Sequence, residues 1–288
     1  MKTCSIDSCP QPVDGVEENE WARATRSLLR RPLLTTARCL NLLGILVHEW
    51  ISYWTEALLQ GRQTQAAWKA AWLSRTCRRL IEELDFGIEV HGTPPRKGLC
   101  VCNHLSYLDI IALSATMPCS FVSKSEVRSW PVFGSYASLS GTIFVDRDRR
   151  MEVPRIAGQI GSAIESGIPL VLFPEGTSSG GSSVLPFRSS LFAPVASIGA
   201  SVTPVAISYS MEDGDASEEA CYWKDMTLVP HLLNLCSGKR LTITILFGED
   251  VAPSRDRKIL CEMSHKTVSA LRSAHESGQS HHHLRSEP

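Results

Sequence analysis

The chain has 288 residues, 43% of them hydrophobic, and a formal net charge of −1. That length supports one sizeable core, and the charge balance excludes a nucleic-acid binder dependent on a dominant positive field. Met1 to Glu20 is acidic and polar, contains Pro10 and Pro12, and shows no secretory signal, so residues 1–30 read as a disordered N-terminus. Leu33 to Leu59 is the most membrane-like stretch, but Arg38, His48, Glu49 and Glu56 interrupt it. Only nine uncharged residues, Cys39 to Val47, precede the histidine, against the ~20 that a span requires. An interfacial or re-entrant helix fits better. A second helix, about Thr64 to Leu84, puts Trp68, Trp72, Leu73, Cys77, Leu80 and Leu84 on one stripe, a pattern that serves core packing more often than membrane contact. Together, residues 31–85 read as an N-terminal helical hairpin that docks on a membrane surface.

Beyond the hairpin, strands and helices alternate. The strands are Ile88–His91, Leu99–Cys102, Ser120–Ser123, Thr142–Val145, Pro169–Phe173, Val202–Tyr209 and Leu241–Phe247; helices fall at Val153–Glu165, near Ser190–Ile198 and at Arg257–Ala274. This pattern predicts an α/β domain over 86–274 with a largely parallel central sheet flanked by helices, its chemistry on loops at the strand ends. The tail 275–288, with His281-His282-His283, reads as disordered. Ten cysteines show no C-x-x-C spacing, as expected of reduced, mostly buried thiols in a cytosol-facing protein. Basic residues cluster locally at Arg75, Arg78, Arg79 and at Arg147, Arg149, Arg150, as solvated faces or as contacts to anionic lipid head groups.

Three strand ends carry chemistry. The first is Asn103-His104-Leu105-Ser106-Tyr107-Leu108-Asp109. Residues five apart on a helix are rotated by about 140°, so His104 belongs in the strand-to-helix turn with Asp109 folding back from the first helical turn. A carboxylate that accepts an imidazole N–H sets its tautomer and makes it a general base. The second is Phe173-Pro174-Glu175-Gly176-Thr177, followed by a Ser/Gly-rich loop: Pro174 ends the ladder, Gly176 permits close backbone approach, and Glu175 and Thr177 offer an acceptor and a hydroxyl. The third is Gly141-Thr142-Ile143-Phe144-Val145-Asp146-Arg147, a strand ending in a cation suited to an anionic group. A Cys102/His104 nucleophile pair is disfavoured by their neighbouring positions in extended chain, and no G-x-S-x-G elbow exists for a serine hydrolase.

The order N-H-x-S-x-x-D, G-T-I-F-V-D-R, F-P-E-G-T and Val202-Thr203-Pro204-Val205-Ala206-Ile207 resembles the four blocks of the glycerolipid acyltransferase family typified by 1-acylglycerol-3-phosphate O-acyltransferase. Phe121-Val122-Ser123-Lys124-Ser125-Glu126, Trp130-Pro131-Val132-Phe133-Gly134 and Leu185-Pro186-Phe187-Arg188 resemble intervening segments. The resemblance implies acyl transfer from acyl-CoA or acyl carrier protein to a lysolipid hydroxyl, most simply that of 1-acylglycerol-3-phosphate. His104 would act as base, held by Asp109, with Glu175, Gly176 and Thr177 positioning the acceptor and Arg147 and Lys124 holding its anionic portion. It implies no metal or redox cofactor, and a place on the cytoplasmic face of the membrane. One departure is Ser178, where many lysophosphatidate enzymes carry Arg; here the loop resembles the lyso-ornithine lipid branch. Other readings are a serine-type lipid hydrolase and an inactive membrane-binding scaffold, the latter having no need of His104, Asp109 and Glu175 together.

Overall fold

The computed structural model describes residues 20–60, 66–130, 132–145 and 153–283. In chain order the elements are α1 (Glu20–Arg30), α2 (Pro32–Gln60), α3 (Ala66–Leu84), β1 (Gly87–His91), β2 (Gly98–Cys102), α4 (Leu108–Thr116), β3 (Ser120–Lys124), α5 (Phe133–Leu139), β4 (Ile143–Val145), α6 (Val153–Glu165), β5 (Pro169–Leu172), α7 (Ala193–Ile198), β6 (Val202–Met211), α8 (Ala216–Glu219), α9 (Leu228–Cys236), β7 (Leu241–Phe247) and α10 (Arg257–His283). Among the described residues the strands form one sheet in the order β1-β7-β6-β2-β5-β3-β4. Strands β2 to β6 run parallel; β7 pairs antiparallel with β6, and β1 follows β7.

Strand β2 lies at the centre, with Leu99 level with Leu170 on β5 and Val202 on β6. Its residues alternate between two cores. Cys100 and Cys102 face a cluster with Trp72, Leu108 and Leu113, whereas Leu99 and Val101 face one with Ile160, Val195 and Leu260. Both faces being covered, the strands read as continuous apolar runs. The chain leaves β2 into α4 on the first face, whereas the connection from neighbouring β5 reaches α7 on the second. Where adjacent strands send their connections to opposite faces, a crevice opens at their carboxyl ends. The loops carrying His104 and Glu175 border that crevice.

The charges that interrupt the apolar stretch of α2 have a structural reason. Buried Glu49 pairs with Arg75 at 3.4 Å and with Arg79, Glu56 pairs with Arg75 at 2.8 Å, and its other oxygen accepts from the Trp68 indole at 3.0 Å. The Trp72 indole donates to the Glu49 carbonyl at 3.0 Å. These residues share one face of α2 with buried Thr35, Leu42 and Tyr53, so the polar groups bind α3 while Leu33, Leu40, Leu43, Val47, Trp50, Ile51, Trp54 and Leu58 stay exposed. The expected stripe of α3 is core: Trp72, Leu73, Cys77 and Leu84 are buried, with Trp68 and Leu80 packed against them. No described helix is long and apolar enough to cross a membrane.

Two expectations of disorder are corrected in part. Residues 20–30 form α1, which packs on α9 and buries Ala24; residues 1–19 lie outside the described part. The last helix continues past Ala274 to His283, so the histidine tract falls within it and only 284–288 lie outside. Polar composition favours disorder in isolation, but residues 20–30 form a helix that packs on α9 and the terminal segment continues α10. Short α5, α8 and α9 carry too little periodicity to be read from sequence.

Candidate active site

Chain leaving β2 turns sharply, and Asp109 in the first turn of α4 holds that turn together. Its Oδ2 accepts from the backbone N–H groups of Leu105 at 2.7 Å and Ser106 at 3.1 Å, and lies 2.8 Å from His104 Nδ1. Oδ1 accepts from the Tyr209 hydroxyl on β6. Leu105, Ser106 and Tyr209 all donate to this carboxylate, whose role in the cluster is that of acceptor; the His104 contact is accordingly assigned as an Nδ1–H donor, and Nε2 presents its lone pair. Asp109 is fully buried, whereas the His104 side chain is 21% exposed. Phe173 stacks on the imidazole with centroids 4.3 Å apart, and Phe121 backs Phe173 at 6.2 Å. Asn103 ties β2 to β6 by exchanging bonds of 2.9 and 2.8 Å with the backbone of Ile207.

The loop after β5 folds against this turn. Gly176 has φ +75°, the left-handed conformation that glycine adopts without steric cost, and its N–H donates to the Phe173 carbonyl. Glu175 is buried rather than exposed at a strand edge, its Oε1 accepting from Leu185 N–H at 3.2 Å; Thr177 is exposed. The Ser/Gly segment is tied to the turn that carries His104: Ser179 N–H donates to the His104 carbonyl at 3.0 Å, Ser178 Oγ donates to the Tyr222 carbonyl, and Tyr222 N–H returns to the Leu105 carbonyl at 2.9 Å. Ser178 is thus a stitch between loops. A cation reaches that segment from elsewhere, since Arg272 on α10 is buried and donates to the Gly181 carbonyl.

Burial pushes the Glu175 carboxyl from 4.5 up to about 8; the Leu185 and His104 backbone N–H groups oppose this, Asp109 adds to it, and Arg272 opposes it. Between those two values the unfolded chain has released a proton that the folded protein keeps, so stability falls as pH rises through that window. Glu175→Gln should remove this slope. Urea midpoints at pH 5 and pH 8 should differ less in the variant than in the wild type.

Cys102 beside the dyad is fully buried, and burial, then Asp109, drives its thiol well above the usual range, the opposite of an activated nucleophile. Lys124 ends β3 at the same edge of the sheet, two residues past Val122, which is level with Leu172 on β5. Arg147 lies outside the described residues. The structure thus brings together His104, Asp109, Glu175 and Gly176, with Thr177 on the adjoining surface and Lys124 at the same sheet end. Sequence reasoning missed Tyr209, Phe173 and Arg272. Phe173 sits inside the quoted F-P-E-G-T block, but the other two carry no local signal. A separate cavity of about 560 Å³ between β4 and α6, lined by Arg128, Phe144 and Arg155, excludes the dyad.

Residues 87–208 match the family described as Acyltransferase. The chain is 36% identical to the 1-acyl-sn-glycerol-3-phosphate acyltransferase of Neisseria meningitidis serogroup B over 200 residues, 67% of this chain and 78% of that protein. It is 37% identical to the lyso-ornithine lipid O-acyltransferase of Pseudomonas aeruginosa over 252 residues, 83% of this chain and 92% of that protein. The crystal structure of a 1-acyl-sn-glycerophosphate acyltransferase from Thermotoga maritima superposes with a TM-score of 0.59 at 19% identity, over 85% of this chain and 98% of that one, a likeness of fold.

Proposed function

This chain belongs to the glycerolipid acyltransferase family, and on that premise we propose that it transfers a fatty acyl group from a thioester to a lysolipid hydroxyl with His104 as general base. The observation that carries this reading is the Asp109-oriented imidazole, with Nε2 free and the side chain partly open to the crevice. Nε2 takes the hydroxyl proton as the oxygen attacks the thioester carbonyl; the C–O bond forms, the C–S bond breaks, and the proton passes to the departing thiolate. Acyl-CoA or acyl carrier protein supplies the thioester, and no acyl-enzyme forms. Glu175 and Gly176 shape the acceptor side of the crevice. Thr177 offers an exposed hydroxyl there, and Lys124 and Arg147 hold the anionic portion of the acceptor.

The acceptor we place first is 1-acylglycerol-3-phosphate, the substrate in the name of the Neisseria relative. Lyso-ornithine lipid is the second reading, favoured by Ser178, whose hydroxyl is used up on Tyr222 where a cation would otherwise meet a phosphate. Incubating the purified protein with labelled acyl thioester and both lysolipids decides between them. Acylation of neither would overturn the reading.

The exposed apolar face of α2 fits a membrane surface, since hydrophobic residues at helical spacing opposite a polar face lie in the interfacial plane. The described cysteines are free thiols, which suits the reducing cytoplasmic side. Each fully buried large apolar side chain contributes about 1.5–3 kcal/mol, so Trp50→Glu with Trp54→Glu should reduce sedimentation with lipid vesicles severalfold. Unchanged sedimentation would remove α2 as the docking face.

A further inference from the structure

A second cavity, about 640 Å³, lies where α1 and α2 meet the turn between α9 and β7. This is within the size range of small-molecule sites. Six cations line it: Arg23, Arg30, Arg31, Arg38, Lys239 and Arg240; the carboxylates are Asp85, Glu212, Asp213 and Glu219. Lys239 is paired with Glu219, Arg240 with Glu212 at 3.3 Å, and Arg23 with Glu218 at 3.7 Å. Arg31 donates to the Gly238 carbonyl at 3.2 Å, and Arg38 Nη1 is buried with no hydrogen-bond partner. A buried donor without an acceptor is destabilising, a cost that a bound anion removes. Gly238, at φ +87°, lets the turn press on these groups: a Cβ there would lie 2.7 Å from Leu34 Cδ2, 3.0 Å from Arg31 Nη1 and 3.5 Å from Arg38 Nη1.

Two geometric facts select the anion. Met211 at the end of β6 is level with Leu241 at the start of β7, and Tyr209, two residues earlier, touches Asp109. Glu212 in the cavity wall is three residues beyond Tyr209, about 10 Å at ~3.3 Å per residue, so the cavity lies at the same end of β6 as the Asp109–His104 pair. Leu34 and Arg38 also sit on the side of α2 away from exposed Leu40, Val47 and Trp54, because successive helical residues turn by about 100°, and Arg31 immediately precedes that helix. The cavity therefore faces the domain and not the apolar side. We infer that this arginine-lined cavity binds the phosphate groups of a nucleotide-type acyl carrier, coenzyme A by chemistry, while its thioester reaches His104. The inference rests on the acyl-transfer reading, and guanidinium groups suit it because they pair phosphate oxygens in a fork.

The test is calorimetric titration of the full chain with coenzyme A, with inorganic pyrophosphate, and with phosphatidylglycerol or phosphatidylcholine vesicles. Arg31→Gln with Arg38→Gln should raise the coenzyme A dissociation constant at least tenfold. In turnover, KM for acyl-CoA should rise at least tenfold relative to KM for a phosphate-free N-acetylcysteamine thioester, with Arg257→Gln on α10 behaving as wild type. If the double variant fails to fold, Arg31→Gln alone, on an exposed side chain, gives the same reading at a severalfold shift. Unchanged coenzyme A affinity in these variants overturns the inference, as does loss of phosphatidylglycerol binding with coenzyme A affinity intact, which would assign the cavity to a lipid head group. Because coenzyme A binding is read without turnover, absence of acyl transfer would count against the functional reading alone.

Discussion

His104→Ala should lower kcat/KM for acyl transfer by about 10²–10⁴-fold, the contribution of a positioned general base. No neighbouring group replaces it: Asp109 is fully buried and already accepts four hydrogen bonds, and Cys102 is buried with its thiol held protonated. Because the His104 side chain is partly exposed and its main stabilising partners are one ring and one carboxylate, the variant should fold. Its thermal midpoint should stay within a few degrees of the wild type while the steady-state rate collapses.

Asp109→Asn should lose both activity and stability. The asparagine amide puts two hydrogens where the carboxylate accepted from Leu105, Ser106, His104 and Tyr209. At least one of those buried donors is then unmatched, at about 1–3 kcal/mol, and His104 loses the partner that keeps its hydrogen on Nδ1. Turnover should fall by about 10²-fold or more, with the urea midpoint lowered. Tyr209→Phe separates the two effects: it removes only the Oδ1 donor, so it should cost far less activity than Asp109→Asn. Equal losses would place the weight on Tyr209.

The dyad was legible because its logic is local. Four residues separate His104 from Asp109, a turn must bring them together, and the apolar run before them marks a strand. The same holds for the α/β alternation, whose buried strands announce themselves as unbroken apolar runs at β2 and β5. Tyr209 was illegible since it is 100 residues from the carboxylate it serves and looks like any strand aromatic. Arg272 is similar: a cation in a long terminal helix reads as a solvated face until the fold buries it against Gly181. The charges in α2 were read only as interruptions of a span, because their purpose depends on α3. Once Arg75 and Arg79 face Glu49, the same residues explain why one side of α2 is polar and the other bare. The burial of Glu175 was likewise invisible, its depth being set by the loop that folds over it through Leu185.

The most direct test of the account follows the labelled acyl group itself. Purified wild-type protein and His104→Ala are incubated with a radiolabelled acyl thioester and a lysolipid, and acylated lipid, free thiol and free fatty acid are quantified together. The wild type should give acylated lipid and free thiol in equal amounts with little free fatty acid, and the folded variant should lose both main products. Near wild-type transfer by His104→Ala, or free fatty acid as the principal wild-type product, would contradict the account.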